Sequence, residues 1–421
     1  MPEFRTPTGT RDIMPPESAR WARLVALFAD LAERAGYGLI VSPMFEDVGV
    51  FERVGESTDI VRKEMYDFED KGGRHLALRP EGTASVVRAY IEHRPPAPWK
   101  TWYVGPNFRY ERPQAGRYRQ HHQLGAEAIG TDDPDVDVEI IALLASVYRG
   151  VGLQQYALRL NSIGDAGSRP RYLTALRAHL DAHAADLSEQ SKATLQVNPL
   201  RVLDSKREQD APIVATAPKT IDYLSPEAAV HFERVQQGLR SLGIPFVIDP
   251  LLVRGLDYYA RTTFEFASDA LESAQNAIGG GGRYDGLAEQ LGGPPTPGIG
   301  FGAGIERVLL ACDAEGVFEA PDATVDVWVV DTTGEGHALL LTSELRGAGV
   351  SADRAFDARS MKSQMKAADR SGARLALIVG SDEIASGTVT VRDLRHTGAE
   401  GEPGQQAVRR EEVIDYVRKS L

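Results

Sequence analysis

Two long strand-like stretches, at residues 102–110 and 119–128, constrain the fold more than any other feature of the chain. A shorter one lies at residues 76–78, and helical patterns at 84–93 and 136–148 interrupt the series. Long strands joined by a short polar segment are typical of antiparallel hairpins, whereas a parallel sheet would need a regular alternation of strands and helices. The sequence therefore predicts an α+β domain built on an antiparallel sheet with flanking helices.

The chain has 421 residues, more than a single hydrophobic core usually supports, so we expect more than one domain. Between about residues 165 and 249 the sequence is rich in Ala, Arg, Asp and Glu with helical periodicity, which predicts a helical insertion. After a break at 319–324 the pattern reads strand, helix, strand, helix, strand, strand, helix. We therefore predict a first domain at 1–324, which contains the insertion, and a separate α/β domain at 325–421.

Composition excludes several classes of protein. The single cysteine, Cys312, rules out a disulfide scaffold and a zinc site with cysteine ligands, so we expect no structural metal. The longest apolar runs have the length of strands, well below the ~18 residues of a membrane span. Residues 1–17 lack the apolar segment of a signal peptide. We expect a cytoplasmic protein with no membrane segment.

The distribution of charge is uneven. The net charge is −13, which by itself argues against a nucleic-acid partner. Residues 100–123, however, carry five basic side chains against one acidic side chain: Lys100, Arg109, Arg112, Arg117 and Arg119 against Glu111. A local basic strip can hold phosphates in an acidic protein, although a solvated surface hairpin would show the same bias.

Polar residues alternate along the second strand-like stretch. In an extended chain every second residue shares a face, and here that face carries Arg119, His121, Gln123, Gly125 and Glu127. Across the hairpin, Arg109 could join Gln123 and Glu127 on one concave polar surface. A sheet with one face in solvent would give the same alternation, so the pattern alone leaves both interpretations open.

Two more segments carry ligand-binding residue types. Residues 252–259 combine Arg254, beside a glycine, with the adjacent tyrosines Tyr258 and Tyr259. Residues 279–286 and 298–304 are rich in glycine and lead into a predicted helix with Arg307 in its first turn. Glycines let a flat ligand lie on the backbone, and an arginine at a helix start can reach a polyphosphate.

The second glycine-rich stretch formally satisfies the G-x-G-x-x-A pattern of dinucleotide-binding proteins. Turn residues at 292–297 precede it instead of a strand, and no βαβ unit surrounds it, so we reject that interpretation. What remains is a set of three arginines on separate segments, Arg109, Arg254 and Arg307. Arginine suits the bidentate recognition of carboxylate and phosphate, which predicts an anionic ligand.

These residues lie in motifs that resemble the class II aminoacyl-tRNA synthetases, and specifically the histidyl-tRNA synthetase family. The resemblance is carried by residues 9–12 (GTRD), 78–83 (LRPEGT), 105–114 (GPNFRYERPQ), 116–127, 252–259 (LVRGLDYY), 281–291 and 300–307. The last ~95 residues resemble the family's anticodon-binding domain in the order of their elements. The resemblance implies ligation of L-histidine to tRNA(His), with ATP and Mg²⁺, through a histidyl-adenylate.

The resemblance also implies roles for individual residues. Glu81, Gly82, Thr83 and Gln123 would hold the amino end of histidine, while Glu127, Tyr259 and the adjacent Tyr258 would hold its imidazole. Arg109 and Arg254 would contact the histidine carboxylate and the α-phosphate of ATP, and Arg307 would hold the γ-phosphate. Arg112 and Gln114 would contact the acceptor end of the tRNA.

Three further expectations concern the subunits and the tRNA, and of these only the homodimer follows from the resemblance. The protein would be a homodimer, and the insertion would contact the acceptor arm of the tRNA. In the C-terminal domain Lys362, Lys366 and Arg370 fall on one helical face, which is either a solvated surface or an RNA-backbone contact. The alternative function is that of the histidine-binding, non-catalytic regulatory subunit of ATP phosphoribosyltransferase, which resembles the same catalytic core.

Overall fold

The computed structural model describes residues 4–55, 60–253, 255–271, 276–321, 325–356, 359–395 and 404–421. The chain divides into two compact units, Met1–Glu319 and Ala320–Leu421. Within these described ranges, the structure contains no helix with the length and apolar character needed to span a bilayer.

The helices of the first unit surround its sheets. They are α1 (Glu17–Arg34), α2 (Gly49–Gly55), α3 (Thr83–His93), α4 (Pro134–Gly150), α5 (Arg169–Ala182), α6 (Glu189–Val197), α7 (Ala211–Ala215), α8 (Pro226–Ser241), α9 (Leu287–Gln290) and α10 (Ile305–Glu315). Short helical turns of other types lie at Ile60–Glu64, Pro199–Asp204 and Thr220–Tyr223.

Two sheets organise the first unit. Their strands are β1 (Gly38–Leu39), β2 (Phe45–Asp47), β3 (Tyr66–Glu69), β4 (His75–Leu78), β5 (Trp99–Phe108), β6 (Gln120–Ile129), β7 (Tyr156–Ser162), β8 (Val247–Ile248), β9 (Ala260–Ser268), β10 (Ala277–Arg283) and β11 (Gly298–Gly304). The large sheet has the order β1-β5-β6-β11-β10-β9-β7-β8, and the small one β2-β4-β3. The long central strands pair antiparallel, and only the short outer strands β1 and β8 pair parallel. The predicted α+β fold with an antiparallel sheet is confirmed.

The main core lies between the large sheet and the helices α1, α4 and α10. In α1 the buried residues Leu24, Phe28 and Ala32 recur at every fourth position, which forms an apolar stripe along the helix. The Phe28 ring packs edge-on against Phe301 of β11. The helices cover one face of the large sheet in this way. The other face of the sheet is available to form a site.

The segment predicted to be an insertion divides between two cores. Residues 172–217 form a separate apolar cluster, which includes Tyr172, Leu176 and Leu195. Helix α8 instead places Phe232, Val235 and Leu239 in the main core. The small helical cluster is therefore a second core within the first unit, and α8 belongs to the main core of that unit.

The second unit is an α/β domain. Its elements are β12 (Val327–Asp331), α11 (His337–Gly347), β13 (Ala352–Arg354), α12 (Met361–Arg370), β14 (Leu375–Val379), α13 (Ser381–Ser386), β15 (Thr388–Asp393), β16 (Gln405–Arg409) and α14 (Val413–Ser420). The sheet order is β13-β12-β14-β15-β16, with parallel pairing of the first three strands and antiparallel pairing of the rest. A valine- and leucine-rich core fills it.

Candidate active site

A polar cavity of about 200 Å³ lies on the large sheet where β6, β11 and β10 are neighbours. Four of the predicted site residues line it: Arg109 after β5, Gln123 on β6, Tyr259 before β9 and Arg307 on α10. These residues come from four separate segments of the sequence. The antiparallel sheet brings them together because its central strands all cross this one area.

The two arginines are held in place by hydrogen bonds to backbone carbonyl groups. Arg109 donates from Nε to the carbonyl oxygen of Pro80 at 2.9 Å, and its Nη1 lies 3.8 Å from Oε1 of Glu111. Arg307 donates from Nε and Nη1 to carbonyl oxygens of Gly116 and Ala277, at 3.2 and 3.0 Å. These contacts orient both guanidinium groups at the cavity wall, where their positive charge favours an anionic ligand.

Two side chains of β6 complete this wall. Gln123 accepts at Oε1 a hydrogen bond from Nδ2 of Asn107, at 2.7 Å. Burial lowers the pKa of His121 well below its usual value, and the charges of Arg109 and Arg307 lower it further. His121 therefore presents a neutral aromatic ring to the cavity at pH 7.

Glu127 lies behind the cavity, where it is completely buried. Three hydroxyl groups donate to its carboxylate: Thr83 at 2.7 Å, Tyr103 at 3.2 Å and Tyr284 at 2.7 Å. Burial raises the pKa of Glu127 to about 8, although the hydroxyl donors oppose the shift. The carboxyl group is thus fully hydrogen-bonded and mostly protonated near neutral pH.

Glu81 occupies the start of α3. Its two carboxylate oxygens accept from the backbone N–H groups of Thr83 and Ala84, both at 2.7 Å, and Tyr258 donates its hydroxyl at 3.3 Å. A carboxylate at this position satisfies helix N–H groups that would otherwise lack partners. Burial raises the pKa of Glu81, and these backbone hydrogen bonds oppose the change.

Gly82, also predicted in the site, lies against an aromatic ring. A Cβ atom at this position would lie 2.5 Å from the ring of Tyr103, so a larger residue would displace that tyrosine from Glu127. The glycine therefore makes room for the hydrogen-bond network.

The network and the cavity are contiguous. Gln123 of the cavity wall and Glu127 of the network lie on the same face of β6. Tyr258 of the network and Tyr259 of the cavity wall have ring centroids 4.8 Å apart. We refer to the set Glu81, Thr83, Tyr103, Glu127, Tyr258 and Tyr284 as the hydroxyl–carboxyl network.

Two predicted residues lie outside both the cavity wall and the hydroxyl–carboxyl network, and a third is not described. Arg112 and Gln114 are exposed in the loop between β5 and β6, and within the described ranges the cavity wall does not include them. Arg254 lies outside the described residues. Its predicted role stays a prediction.

The sequence prediction missed several residues of the site. Tyr103 on β5 and Tyr284 after β10 were not predicted, because the role of each depends on a hydrogen bond to Glu127 on another segment. Glu306 was also missed: its carboxylate accepts from the backbone N–H of His122 at 3.1 Å and lies 3.0 Å from Nδ1 of that ring. His121 was predicted to share the polar face of β6 with Gln123 but was given no role, and it lines the cavity. Among the described residues no group of three or more His, Cys, Asp or Glu is arranged to hold a metal ion.

Comparison with known proteins identifies the family. The family model of histidyl-tRNA synthetase matches residues 9–308, well over half of the chain. The chain belongs to the histidyl-tRNA synthetase family. The model of the anticodon binding domain matches residues 325–420. The predicted family and its class II enzyme type are therefore confirmed, and so is the predicted fold of a class II catalytic domain followed by an anticodon-binding domain.

Individual relatives of this synthetase agree over the whole length. The histidine--tRNA ligase of Saccharopolyspora erythraea is 48% identical over 427 residues, which cover 100% of both chains. That of Rhodococcus erythropolis is 49% identical and covers 98% of this chain and 97% of the relative. The crystal structure of the apo histidyl-tRNA synthetase of S. aureus superposes with a TM-score of 0.81 at 36% identity, over 99% of this chain and 100% of the other. These comparisons give no better support to the regulatory-subunit alternative.

Proposed function

We propose that this synthetase ligates L-histidine to tRNA(His) in two steps, with the cavity and the hydroxyl–carboxyl network as its active site. The carboxylate of histidine attacks the α-phosphate of ATP, which gives histidyl-adenylate and pyrophosphate. The terminal ribose hydroxyl of the tRNA then takes the histidyl group and releases AMP. The observation that carries the proposal is the position of Arg109 and Arg307 beside Gln123 and Tyr259, with the buried Glu127 directly behind.

The residues of the hydroxyl–carboxyl network, together with Gln123 and Tyr259, recognise histidine. Glu81, Thr83 and Gln123 hold the amino group, and Gly82 beside them leaves the space for the ring of Tyr103. The imidazole meets Glu127 and Tyr259, with the adjacent Tyr258 donating its hydroxyl to Glu81. A site built to hydrogen-bond a polar side chain rejects analogues without that group by about 10⁴–10⁵-fold, because its buried polar groups are then left unpaired.

ATP binds in the part of the cavity that Arg109 and Arg307 line. Arg109 bridges the histidine carboxylate and the α-phosphate, Arg307 holds the γ-phosphate, and Arg254 takes the α-phosphate from another direction. Phosphoryl-transfer chemistry of this type depends on positioning and on fixed positive charge, so loss of one such donor typically costs about 10²–10³ in rate. Mg²⁺ arrives with ATP as part of the substrate.

Other surfaces of the protein contact the tRNA and a second subunit. Arg112 and Gln114 contact the acceptor end, the helical cluster at residues 172–217 faces the acceptor arm, and residues 325–421 bind the anticodon. The proposed assembly is a homodimer. Several large apolar side chains near β1 and β2 support it by their exposure, which ranges from 50% to 85%: Leu39, Val41, Met44 and Phe45. The proposed location is the cytoplasm, where the tRNA substrate is used.

Histidine-dependent pyrophosphate exchange tests the first step. The protein should exchange pyrophosphate into ATP with histidine and with no other amino acid. Arg307→Gln and Arg254→Gln should each lower the rate about 10²-fold or more, whereas the matched change Arg240→Gln on the exposed side of α8 should not. Histidine binding without any exchange would refute the ligase assignment and favour the regulatory-subunit alternative.

A truncation tests the division of labour between the domains. A chain that ends at residue 324 should retain exchange and lose most tRNA charging, because adenylate formation needs no anticodon contact. Equal loss of both activities would contradict the proposed anticodon role for residues 325–421.

A further inference from the structure

Residues 9–12 (GTRD) form a motif to which the proposed function gives no role. They lie in a described segment, residues 4–16, that contains no helix or strand. Most of its residues are exposed, whereas Gly9, Thr10 and Arg11 are half-buried. We refer to residues 4–16 as the irregular segment. Its half-buried part contacts the region where β6 begins.

The backbone of Gly9 is bonded to that region. Its carbonyl oxygen accepts from the N–H groups of Arg119 at 2.8 Å and Gln120 at 3.3 Å. Gly9 has a φ of +83°, and a Cβ atom there would lie 2.6 Å from Cγ of Arg119. Residues other than glycine rarely adopt this backbone conformation, and any side chain would displace Arg119. The irregular segment can therefore approach β6 this closely only through a glycine.

The side chain of Arg11 makes a second contact with the same region. Its guanidinium donates to both carboxylate oxygens of Glu17, at 2.8 and 2.5 Å. Its guanidinium carbon lies 5.1 Å from the centre of the Tyr118 ring, within the range of a cation–π contact. Because the bidentate bond to Glu17 fixes the orientation of the guanidinium, Arg11 connects the start of α1 to the residue before Arg119.

These contacts hold one arm of the loop between β5 and β6, residues 109–119. The tip of the loop is closed by two backbone hydrogen bonds between Gln114 and Arg117, at 3.0 and 2.9 Å, and by an ion pair between Arg117 and Glu111. Such internal contacts fix the shape of the tip, but they do not fix its position on the sheet. That position depends on contacts with residues outside the loop, and the irregular segment supplies two of them.

The position of the loop matters for Arg307. The carbonyl oxygen of Gly116 accepts from Nε of Arg307 at 3.2 Å, and both Gly116 and Tyr118 line the cavity. A displacement of the loop by about 0.5 Å would lengthen this contact beyond the range of a hydrogen bond. The guanidinium of Arg307 would then lose one of the carbonyl groups that orient it in the cavity.

We propose that Gly9 and Arg11 are positioning residues for the part of the cavity that binds ATP. They fix the loop between β5 and β6, and Gly116 of that loop orients Arg307. The inference rests on the proposed function, in which Arg307 holds the γ-phosphate. It gives the irregular segment a role in nucleotide binding, although the segment itself does not line the cavity.

Pyrophosphate exchange at varied ATP and at varied histidine tests this role. Arg11→Ala should lower kcat/KM for ATP about 10-fold, mostly through KM. The effect should be smaller than that of losing Arg307 itself, because this guanidinium keeps its bond to the carbonyl of Ala277. The KM for histidine should stay at the wild-type value, since Arg109, on the opposite arm of the loop, keeps its bond to the carbonyl of Pro80.

A conservative variant and a matched control accompany this measurement. Arg11→Lys keeps a cation beside Glu17 and Tyr118 and should restore most of kcat/KM for ATP. Arg34→Ala is the control, because Arg34, at the other end of α1, also pairs with a carboxylate, that of Asp30. Its KM for ATP should equal that of the wild type.

Hydrogen exchange measured by mass spectrometry tests the loop without reference to activity. Peptides that cover residues 110–120 should exchange about 2- to 5-fold faster in Arg11→Ala, the factor that corresponds to the loss of an exposed cation–π contact. Peptides from residues 138–148 of the buried helix α4 should exchange at the wild-type rate. Wild-type exchange of residues 110–120 would show that Arg11 does not hold the loop.

The kinetic outcomes are distinct. An unchanged KM for ATP in Arg11→Ala would overturn the inference. An equal rise in the KM values for ATP and histidine would overturn it too, because the effect would then be a general loss of structure. Absence of histidine-dependent exchange in the wild type would refute the ligase function. The Kd of ATP, measured by calorimetry, would then decide the inference, and equal values for the wild type and Arg11→Ala would overturn it.

Discussion

Replacement of Glu127 by glutamine should change how the stability of the first unit depends on pH. Glu127 is completely buried, and its pKa is raised to about 8 by that burial. An exposed glutamate loses its proton near pH 4.3. Between these two values the folded protein binds more protons than the unfolded chain, so the free energy of unfolding falls as pH rises.

The magnitude follows from the same numbers. One proton held only by the folded state gives a slope of at most about 1.4 kcal/mol per pH unit. Since the folded and unfolded pKa values lie on either side of this range, the wild type should lose about 3 kcal/mol between about pH 5 and pH 7.5 through this group. Glu127→Gln has no proton to lose, so its stability should show a correspondingly smaller decline with pH.

Urea denaturation of both proteins at several pH values measures this difference. Three of the four tryptophans, Trp21, Trp99 and Trp102, lie in the first unit, so tryptophan fluorescence mainly follows that unit. The control is Thr101→Val, which removes a buried hydroxyl that donates to the carbonyl oxygen of Gly38 at 2.8 Å but no titratable group, so it should leave the pH slope unchanged. Parallel curves for the wild type and Glu127→Gln would refute a buried, protonated Glu127.

Three other substitutions test the packing around the site. Asp137→Ala should cost about 3–5 kcal/mol in urea denaturation, because it leaves the completely buried guanidinium of Arg283 without the carboxylate 2.7 Å away. Gly300→Ala should reduce histidine-dependent exchange strongly, since its Cβ would lie 1.6 Å from Oε2 of Glu127; wild-type exchange would contradict this geometry. Asp210→Asn should lower the urea midpoint most above about pH 4. Burial acts to raise the pKa of Asp210, but hydrogen bonds from serine residues lower it to about 2, so the difference from the wild type should vanish as pH falls to that value.

The sequence predicted the large elements of the first unit because their patterns are strong. The stretch predicted as a strand at 119–128 is β6, Gln120–Ile129, and the helix predicted at 84–93 is α3, Thr83–His93. Helix α8 was placed in the insertion, since its amphipathic pattern does not reveal which core its apolar face joins. In the structure that face packs on α4.

Two elements of the second unit were missed for identifiable reasons. Strand β16 has the sequence QQAVR with a single buried residue, Val408, and so lacks the alternation that marks a half-buried strand. Helix α13 has six residues and no buried side chain, and helical periodicity is weak over so short a segment. Strand β16 is fixed by its pairing with β15, and α13 by its packing against β14 and β15, and the hydrophobic pattern of either segment does not show these contacts.

The sequence predicted site residues whose own charge or polar group is informative. It predicted less well the residues that matter through hydrogen bonds to other segments. Arg109, Gln123 and Arg307 could be selected because a charge or an amide on a polar face is informative by itself. Tyr103 could not be selected, because its importance comes from a hydrogen bond to Glu127. That bond can be foreseen only when the register between β5 and β6 is known. The residue pattern of one strand does not reveal its register with the neighbouring strand.

The glycines of β11 show how one strand serves both halves of the site. The sequence suggests that they expose the backbone to a flat ligand, and this interpretation fits only one end of the strand. At Gly298 and Gly300 an added Cβ would lie 2.3 Å from the ring of Tyr284 and 1.6 Å from Glu127, so these positions make room for protein side chains. At Gly302 and Gly304 the nearest atoms are 3.3 and 4.0 Å away, and both glycines line the cavity. Since alternate residues of a strand share a face, a single glycine-lined face runs from the hydroxyl–carboxyl network into the cavity. The same strand therefore leaves room for Glu127 at one end and an open backbone at the other, so under the proposed function it would connect the histidine pocket to the nucleotide pocket.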